Sequence, residues 1–369
     1  MTTNSNSNKK VYVGMSGGVD SSVTAALLVE QGYDVTGIFM KNWSGDDYGI
    51  QPDCPWEVDQ ADAESVCKLL GIPFKSWNFE KEYRAKVVDY FYSEYEKGRT
   101  PNPDVMCNKE VKFDVFLEKA LAEGADYIAT GHYAQVEAVG EGSQKVFTLL
   151  KGHDSKKDQT YFLYTLGQHE LSHTLFPIGN IEKSEVRKLA KKFKLPNADK
   201  KDSQGICFIG DIDVKRLLRS KIAKKPGDIV DIDSSEVVGK HDGIMFYTIG
   251  QREGIGVSGH PEPYYVVDKD LEKNIVYVGM GDENPHLFKD EIELENLHLM
   301  SRKADFNKLE CEIAVRYRQK PVKALLEKAV VGGKAVWNVK FDEKVRAIAS
   351  GQSAVVYIGD ECLGGGVIV

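Results

Sequence analysis

The chain has 369 residues, 42% hydrophobic and 28% charged, with a formal net charge of −8. That length suits two or three domains better than one core, and six cysteines without paired spacing argue against a disulfide framework and for reduced thiols. No apolar run approaches a membrane span and residues 1–10 lack a secretory h-region, so a cytoplasmic protein with no membrane partner is expected.

Residues 10–131 alternate strand and helix. Strands are expected at 11–15, 34–40, 74–78 and 127–130, and helices at 21–31, 57–70, 80–97 and 111–123. Gly32, Gly71, Gly98 and Gly124 stand where helix C-caps belong. Such alternation predicts βαβ units in an α/β fold, a doubly wound parallel sheet. Ligands of these sheets bind at the carboxyl ends of the strands, so Met40, Asn78 and Thr130-Gly131-His132 should surround one.

Between the first strand and helix lies Ser16-Gly17-Gly18-Val19-Asp20-Ser21-Ser22. Gly17 and Gly18 put no Cβ in the way of an anion, and the first N–H groups of the helix point at it, with Ser21 or Ser22 as the cap. The pattern G-x-x-x-x-G-K-[ST] is absent, so no lysine in the turn holds a β/γ-phosphate. A Gly- and Ser-rich cradle with Asp20 inside suits a pyrophosphate group and its Mg²⁺. Met40 and Gly131 are candidates for contact with adenine and ribose; core packing is the alternative for Met40.

Two prolines stiffen the loop from Arg99 to Asn108 and are expected to exclude a helix there. Asp104 and Cys107 then fall at the start of the next helix. A thiol at a helix N-terminus has a lowered pKa, and an Asp three residues away can accept or relay a proton. A buried free Cys beside a capping Asp fits the same residues. A hairpin, 134–139 against 145–150, comes next. The donor-rich loop that follows, 151–160, suits phosphates, base edges or a solvated turn.

From Lys183 to Lys225 there are 14 Lys+Arg against 5 Asp+Glu. Two basic helical stretches, 183–193 and 211–223, make this a phosphate-backbone footprint or a pair of solvated faces. Cys207 lies between them, with Lys200 and Lys201 upstream to favour thiolate. Neither Cys107 nor Cys207 belongs to a CxxC, so no metal site is expected. Cys67, Cys311 and Cys362 are expected to pack, and Cys54 is the least determined.

After Pro226-Gly227 short strands are expected at 228–232, 244–249, 264–267 and 274–278. A β-rich third region, with strands at 309–317, 322–326, 335–341, 354–358 and 366–369, predicts a small closed barrel. Arg316-Tyr317-Arg318 alternates basic and aromatic side chains on one strand, which suits RNA or an ordinary exposed face. The expected domains are 1–212, 213–282 and 283–369.

The heptad at 16–22 resembles the signature of the PP-loop pyrophosphatases. Thr100-Pro-Asn-Pro-Asp-Val-Met-Cys-Asn108, Asp202-Ser-Gln-Gly-Ile-Cys-Phe-Ile-Gly210, Gly351-Gln-Ser-Ala-Val-Val-Tyr357 and Leu363-Gly-Gly-Gly366 extend the resemblance. With them the chain is similar to bacterial tRNA-specific 2-thiouridylases over nearly its full length. The resemblance implies a PP-loop domain of the adenine nucleotide alpha hydrolase-like type, a small central domain and a C-terminal β-barrel.

It also implies that ATP, with Mg²⁺, is cut to AMP and pyrophosphate to adenylate the C2 oxygen of the wobble uridine in tRNAs for Lys, Glu and Gln. Sulfur then passes from a persulfide on Cys207, loaded by a sulfur-carrier protein, to give 2-thiouridine. Cys107 is implied to release the sulfur or to form a transient disulfide with Cys207, and Asp104 to act near the target base. Gly14, Met15, Ser16, Gly17, Gly18, Val19, Asp20, Ser21, Met40 and Gly131 are implied to hold ATP. Asn102, Pro103 and Asp104 are implied to contact the base, and His132, Lys157, Asp158, Gln159, Arg316, Tyr317 and Gln352 the tRNA. The segment around Cys207 is expected to move.

Two other readings compete. A PP-loop ligase adenylating a small-molecule carboxylate or ureido group would need neither cysteine. An RNA-binding or thiol-redox module would make the heptad a simple turn.

Overall fold

The computed structural model describes residues 6, 8–44, 56–142, 145–202, 207, 214–300, 306–331 and 334–369. It opens with β1 (Lys10–Met15), α1 (Val19–Glu30), β2 (Asp34–Lys41), α2 (Trp56–Leu70) and β3 (Phe74–Asn78). Alternate residues of the strands serve opposite faces of the sheet. Val11, Val13, Val35 and Phe39 pack in a cluster with Val23, Leu28 and Val66. Tyr12, Ile38, Met40 and Trp77 pack on the other side with Phe91 and Phe116. Burial on both faces explains the continuous apolar runs of a parallel sheet.

A helical run follows: α3 (Glu80–Tyr83), a π-helical turn Arg84–Val88, and α4 (Asp89–Glu96). The helix expected over 80–97 is therefore present as one run over 80–96, with a π-helical turn inside it. Next come α5 (Pro103–Cys107), a π-helical stretch Asn108–Val115, and α6 (Phe116–Ala122). The prolines do not exclude a helix here. Pro103 takes the first helical position, where a missing N–H costs nothing, and Asn102 caps it by accepting the Val105 N–H at 3.3 Å. The serines of the first loop differ from expectation too. Gly18 is the cap of α1, and the hydroxyls of Ser21 and Ser22 donate back to its carbonyl at 3.1 and 2.8 Å.

β4 (Tyr127–Ala129) precedes a hairpin, β5 (Ala134–Val139) and β6 (Val146–Lys151); α7 (Gln168–Ser172), β7 (Thr174–Leu175), α8 (Lys183–Lys192) and α9 (Val214–Arg219) follow. The parallel sheet has the order β3-β2-β1-β4-β7. A second sheet, β10-β11-β8-β9, is built from β8 (Gly227–Asp231), β9 (Val237–His241), β10 (Tyr264–Asp270) and β11 (Ile275–Met280). Residues expected as a strand at 244–249 begin instead with a 3₁₀ turn, Ile244–Phe246, that buries both end residues.

The last sheet uses β12 (Phe288–Leu299), β13 (Lys308–Ala314), β14 (Val322–Val331), β15 (Lys334–Arg346), β16 (Ser353–Ile358) and β17 (Glu361–Ile368). Their order is β12-β15-β14-β13-β16-β17, and β12 also pairs with β17, which closes a six-stranded barrel. The hairpin β5–β6 is joined to this barrel, with Leu149 opposite Cys362 and Leu150 opposite Glu361. Arg316, Tyr317 and Arg318 do not share a strand: β13 ends at Ala314, and Arg318 sits in a turn with φ +64°.

Candidate active site

The loop between β1 and α1 is held from several sides. Gly17 has φ +71°, and a Cβ there would lie 2.4 Å from the Asp59 carbonyl oxygen. Its own carbonyl accepts from Asn197 Nδ2 at 2.8 Å, and the same amide reaches Ser22 Oγ at 2.9 Å. The Ser16 N–H donates to Ser21 Oγ at 3.2 Å. Gly131, just past β4, abuts the start of α1, where a Cβ would meet Ser21 N at 2.8 Å. Met15 and Val19 are buried in the core. Met40 is buried at the carboxyl end of β2, its Cε 3.1 Å from where a Gly14 Cβ would stand. Asn42, immediately beyond β2, has a buried amide with no hydrogen-bond partner at either atom among the described residues, and the sequence reading missed it. A cradle without side chains, backed by backbone, fits a polyphosphate.

Asp20 accepts both oxygens' worth of hydrogen bonds from Lys183 Nζ, at 2.7 and 2.8 Å, and one from Tyr133 OH at 2.9 Å. Lys183 also pairs with Asp202 at 2.8 Å, and Asp202 gathers Lys157 at 2.7 Å and Arg187 at 2.6 Å. Burial acts to raise the Asp202 carboxyl, but hydrogen bonds from Lys157 and Lys183 outweigh it and hold the group at about 2. Lys200 pairs with Asp59 and Asp62 at 2.7 and 2.5 Å. A lysine from the start of α8 thus stands beside the turn, paired with Asp20. The basic stretch splits: Lys183, Arg187 and Lys200 turn inward to carboxylates around the loop, while Lys188, Lys191 and Lys192 stay exposed.

The second part of the site joins residues 100 positions apart. The Cys207 N–H donates to Asp104 Oδ1 at 2.8 Å, and Tyr83 OH donates to the Cys207 carbonyl at 2.7 Å. Cys107, fully buried, and the Lys112 ammonium both lie within hydrogen-bonding reach of the Cys207 sulfur. Cys207 is lowered below an ordinary thiol, first by the Cys107 hydrogen bond and then, against burial, by Lys112. Cys107 is pushed well up by burial and by the neighbouring sulfur, so its expected lowering is overturned. Its position explains why: it closes α5 inside the core, where burial disfavours the thiolate. Burial raises Asp104 as well, against the Cys207 N–H and Lys112.

His132 is buried with Nδ1 2.7 Å from Thr130 Oγ1, between Phe113 and Phe176. Burial and then the Lys112 charge hold it neutral, well below the ordinary histidine value. Gln352 Nε2 donates to the carbonyls of Thr100 and Pro101. Arg316 Nη2 donates to the Ala347 carbonyl at 3.1 Å, and the Tyr317 ring lies 4.4 Å from that of Phe162. Asp158 accepts the N–H groups of Gly152 and Thr160, and Gln159 Oε1 accepts that of Tyr133. Asn102, Pro103, Asp104, Cys107 and Cys207 therefore form one group, with Gln352 bound to its leading loop. Lys157 flanks the nucleotide loop through Asp202, and Gln159 through Tyr133, whose hydroxyl holds Asp20. Cys67, Cys311 and Cys362 are buried, their thiols raised mainly by burial. Cys54 and the expected motion of the segment around Cys207 (203–206 and 208–213) lie outside the described residues.

Three family models match in series. Residues 9–211 match the tRNA methyl transferase HUP domain, 215–280 the tRNA methyl transferase PRC-barrel domain, and 289–368 the aminomethyltransferase beta-barrel domain. Among solved structures, a 4-thiouridine synthetase in complex with RNA and ATP aligns with 57% of this chain and 50% of its own, at 14% identity and a TM-score of 0.35, and nothing rests on it. The tRNA-specific 2-thiouridylase MnmA of Francisella tularensis subsp. holarctica (strain FTNF002-00 / FTA) is 51% identical over 366 residues, 98% of this chain and 99% of that protein. The protein of the same name from subsp. novicida (strain U112) has the same identity and coverage. The chain belongs to the tRNA-specific 2-thiouridylase family.

Proposed function

We propose that this chain is a tRNA 2-thiouridylase that adenylates the C2 oxygen of the wobble uridine and replaces it with sulfur. The observation that carries this is the meeting of Cys207 with Cys107 and Asp104, in the same domain as a glycine cradle for polyphosphate. A PP-loop ligase for small carboxylates has no use for such a thiol pair, and a redox module has no use for the cradle.

Uridine O2 is a poor leaving group, and attack of that oxygen on the α-phosphate of ATP, with loss of pyrophosphate, makes it a good one. Gly17, Gly18 and the first N–H groups of α1 would take the phosphates, and Met40 and Gly131 line the nucleoside end. Asp20 would hold Mg²⁺, which would supply neutralisation of phosphate charge.

Cys207, the sulfur held as thiolate, takes the sulfane sulfur from a carrier protein's persulfide and releases the carrier thiol. The terminal sulfur then attacks C2 of the adenylated base; the C2–O bond breaks and AMP leaves. Cys107, losing its proton, attacks Cys207 Sγ. A Cys107–Cys207 disulfide forms, the sulfur bonded to C2 takes the electron pair, and 2-thiouridine is released. A dithiol reductant resets the pair. Asn102, Pro103 and Asp104 face the base in this reading, with His132, Lys157, Asp158, Gln159, Arg316, Tyr317 and Gln352 on the tRNA side. The substrates are tRNAs for Lys, Glu and Gln, and the work is cytoplasmic.

The test is ATP turnover with and without unmodified tRNA, together with nucleoside analysis. AMP and pyrophosphate formed with tRNA, and 2-thiouridine formed by the wild type but not by Cys207→Ser, are expected. AMP formed without any tRNA, or thiolation surviving Cys207→Ser, would refute the proposal.

A further inference from the structure

We infer that Lys112 is a catalytic residue whose ammonium holds whichever of the two cysteine sulfurs carries negative charge, Cys207 first and Cys107 second. The argument begins with the helix. In an α-helix a residue five positions on is turned about 140° away. Lys112 would then point away from Cys107. The stretch Asn108–Val115 is π-helical, with hydrogen bonds that run from i to i+5, and this brings Lys112 round to the face that carries Cys107 and Asp104. A π turn is rare, and here it is the device that delivers a cation to a thiol pair.

The groups around this ammonium come from three places, and Tyr83 acts on one of them, Cys207. Asp104 and Cys107 share its helix, and Cys207 arrives from its own segment, anchored to Asp104 Oδ1 by its N–H. His132, after β4, is buried and neutral, so it adds no charge. Tyr83, from α3, gives its hydroxyl to the Cys207 carbonyl and orients the backbone. Burial acts against the Lys112 charge, but Cys207, Cys107 and Asp104 raise it above an ordinary lysine, so it stays protonated.

At rest the proton of the pair stays on Cys107, which donates it to the Cys207 thiolate, and Lys112 donates to the same sulfur. When Cys207 is spent in a bond to the incoming sulfur, its negative charge is gone. The hydrogen bond that kept the proton on Cys107 then weakens, and the Lys112 charge favours a Cys107 thiolate. That thiolate attacks Cys207 Sγ: the new S–S bond forms, the old one breaks, and its electron pair leaves with the thiolated base.

This rests on Cys207 being the sulfur acceptor, and the test separates the two ideas. The full chain is alkylated with iodoacetamide over a pH series, and the Cys207 peptide is followed by mass. In the wild type the midpoint is expected about one pH unit or more below an ordinary thiol. Lys112→Gln should raise it by about one unit, a roughly tenfold loss of reactivity at neutral pH, and Lys112→Arg should restore it. A wild-type midpoint at the ordinary thiol value overturns the inference, as do equal midpoints in the Gln and Arg variants. If Lys112→Gln does not fold, the wild-type and Arg midpoints decide. A low, Lys112-dependent midpoint in a chain that makes no 2-thiouridine would sink the functional reading, and with it the catalytic role of Lys112, while leaving the pairing of its ammonium with the Cys207 thiolate in place.

Discussion

Gln352 Nε2 donates to the carbonyl oxygens of Thr100 at 2.9 Å and Pro101 at 3.1 Å. Around that clamp the Thr100 N–H donates to the Ser350 carbonyl at 2.8 Å, and Gly351 lies so close that a Cβ would be 2.9 Å from Thr100 N. A barrel residue thus fixes the two residues that lead into the Asn102 cap and so sets where Asp104 and Cys107 stand.

Gln352→Ala should cost about 1–2 kcal/mol of stability, since two carbonyls lose their partner. Formation of 2-thiouridine should fall by more than this predicts for folded fraction, because the helix start is displaced. Urea melts and nucleoside analysis on the same sample check it. Wild-type thiolation in the variant would show that the clamp does not position the site.

Lys183 ties Asp20 to Asp202, whereas Lys188 on the same helix pairs with Glu185 and is exposed. Lys183→Met should reduce AMP formation by two orders of magnitude or so, as loss of a preorganised charge at phosphate does. Lys188→Met should stay within about twofold at moderate salt, as for a surface pair. Equal losses in the two variants would instead make α8 an RNA-facing surface.

Lys269 donates to the carbonyls of Gly98 at 2.5 Å and Tyr247 at 3.0 Å, and burial lowers it from 10.5 to about 8. Its folded value is below its unfolded one. Below about 8 both states bind the proton; between about 8 and 10.5 only the unfolded chain does, so stability gained from this group rises with pH across that window. The neutral amine still donates to both carbonyls. Stability from urea melts should therefore climb by about 2 kcal/mol between pH 8 and 10 relative to Lys269→Met, which lacks the titration. A difference flat in pH would refute the assignment.

The parallel sheet was legible because its signals are local: apolar runs buried on both faces, and glycines at positive φ after helices, as at Gly32 and Gly71. The glycine turn between β1 and α1 was legible for the same reason, since Gly17 and its neighbours are contiguous. Lys183 and Lys112 were not, because each acts through a partner far off in sequence or through a helix type that propensity does not reveal. Cys107 was read with the wrong sign. Proline suggested an open helix start, but Pro103 begins a helix that carries the thiol into the core, where burial decides. Arg316 and Tyr317 looked like an alternating strand, yet tertiary contacts to Ala347 and Phe162 bend them into a turn.

The union of β6 with β17 bears on how the polypeptide is made. Lys151 Nζ bonds the Gly359 carbonyl across 208 positions, and Leu149 pairs with Cys362. At roughly 5–20 residues per second, ribosomes take about 10–40 s to supply that partner. Until then β6 is an open edge, the kind that recruits foreign strands. The hairpin β5–β6 therefore gains its outer partner only when β17 has been synthesised, and expressing residues 1–212 alone would leave that edge permanently unsealed.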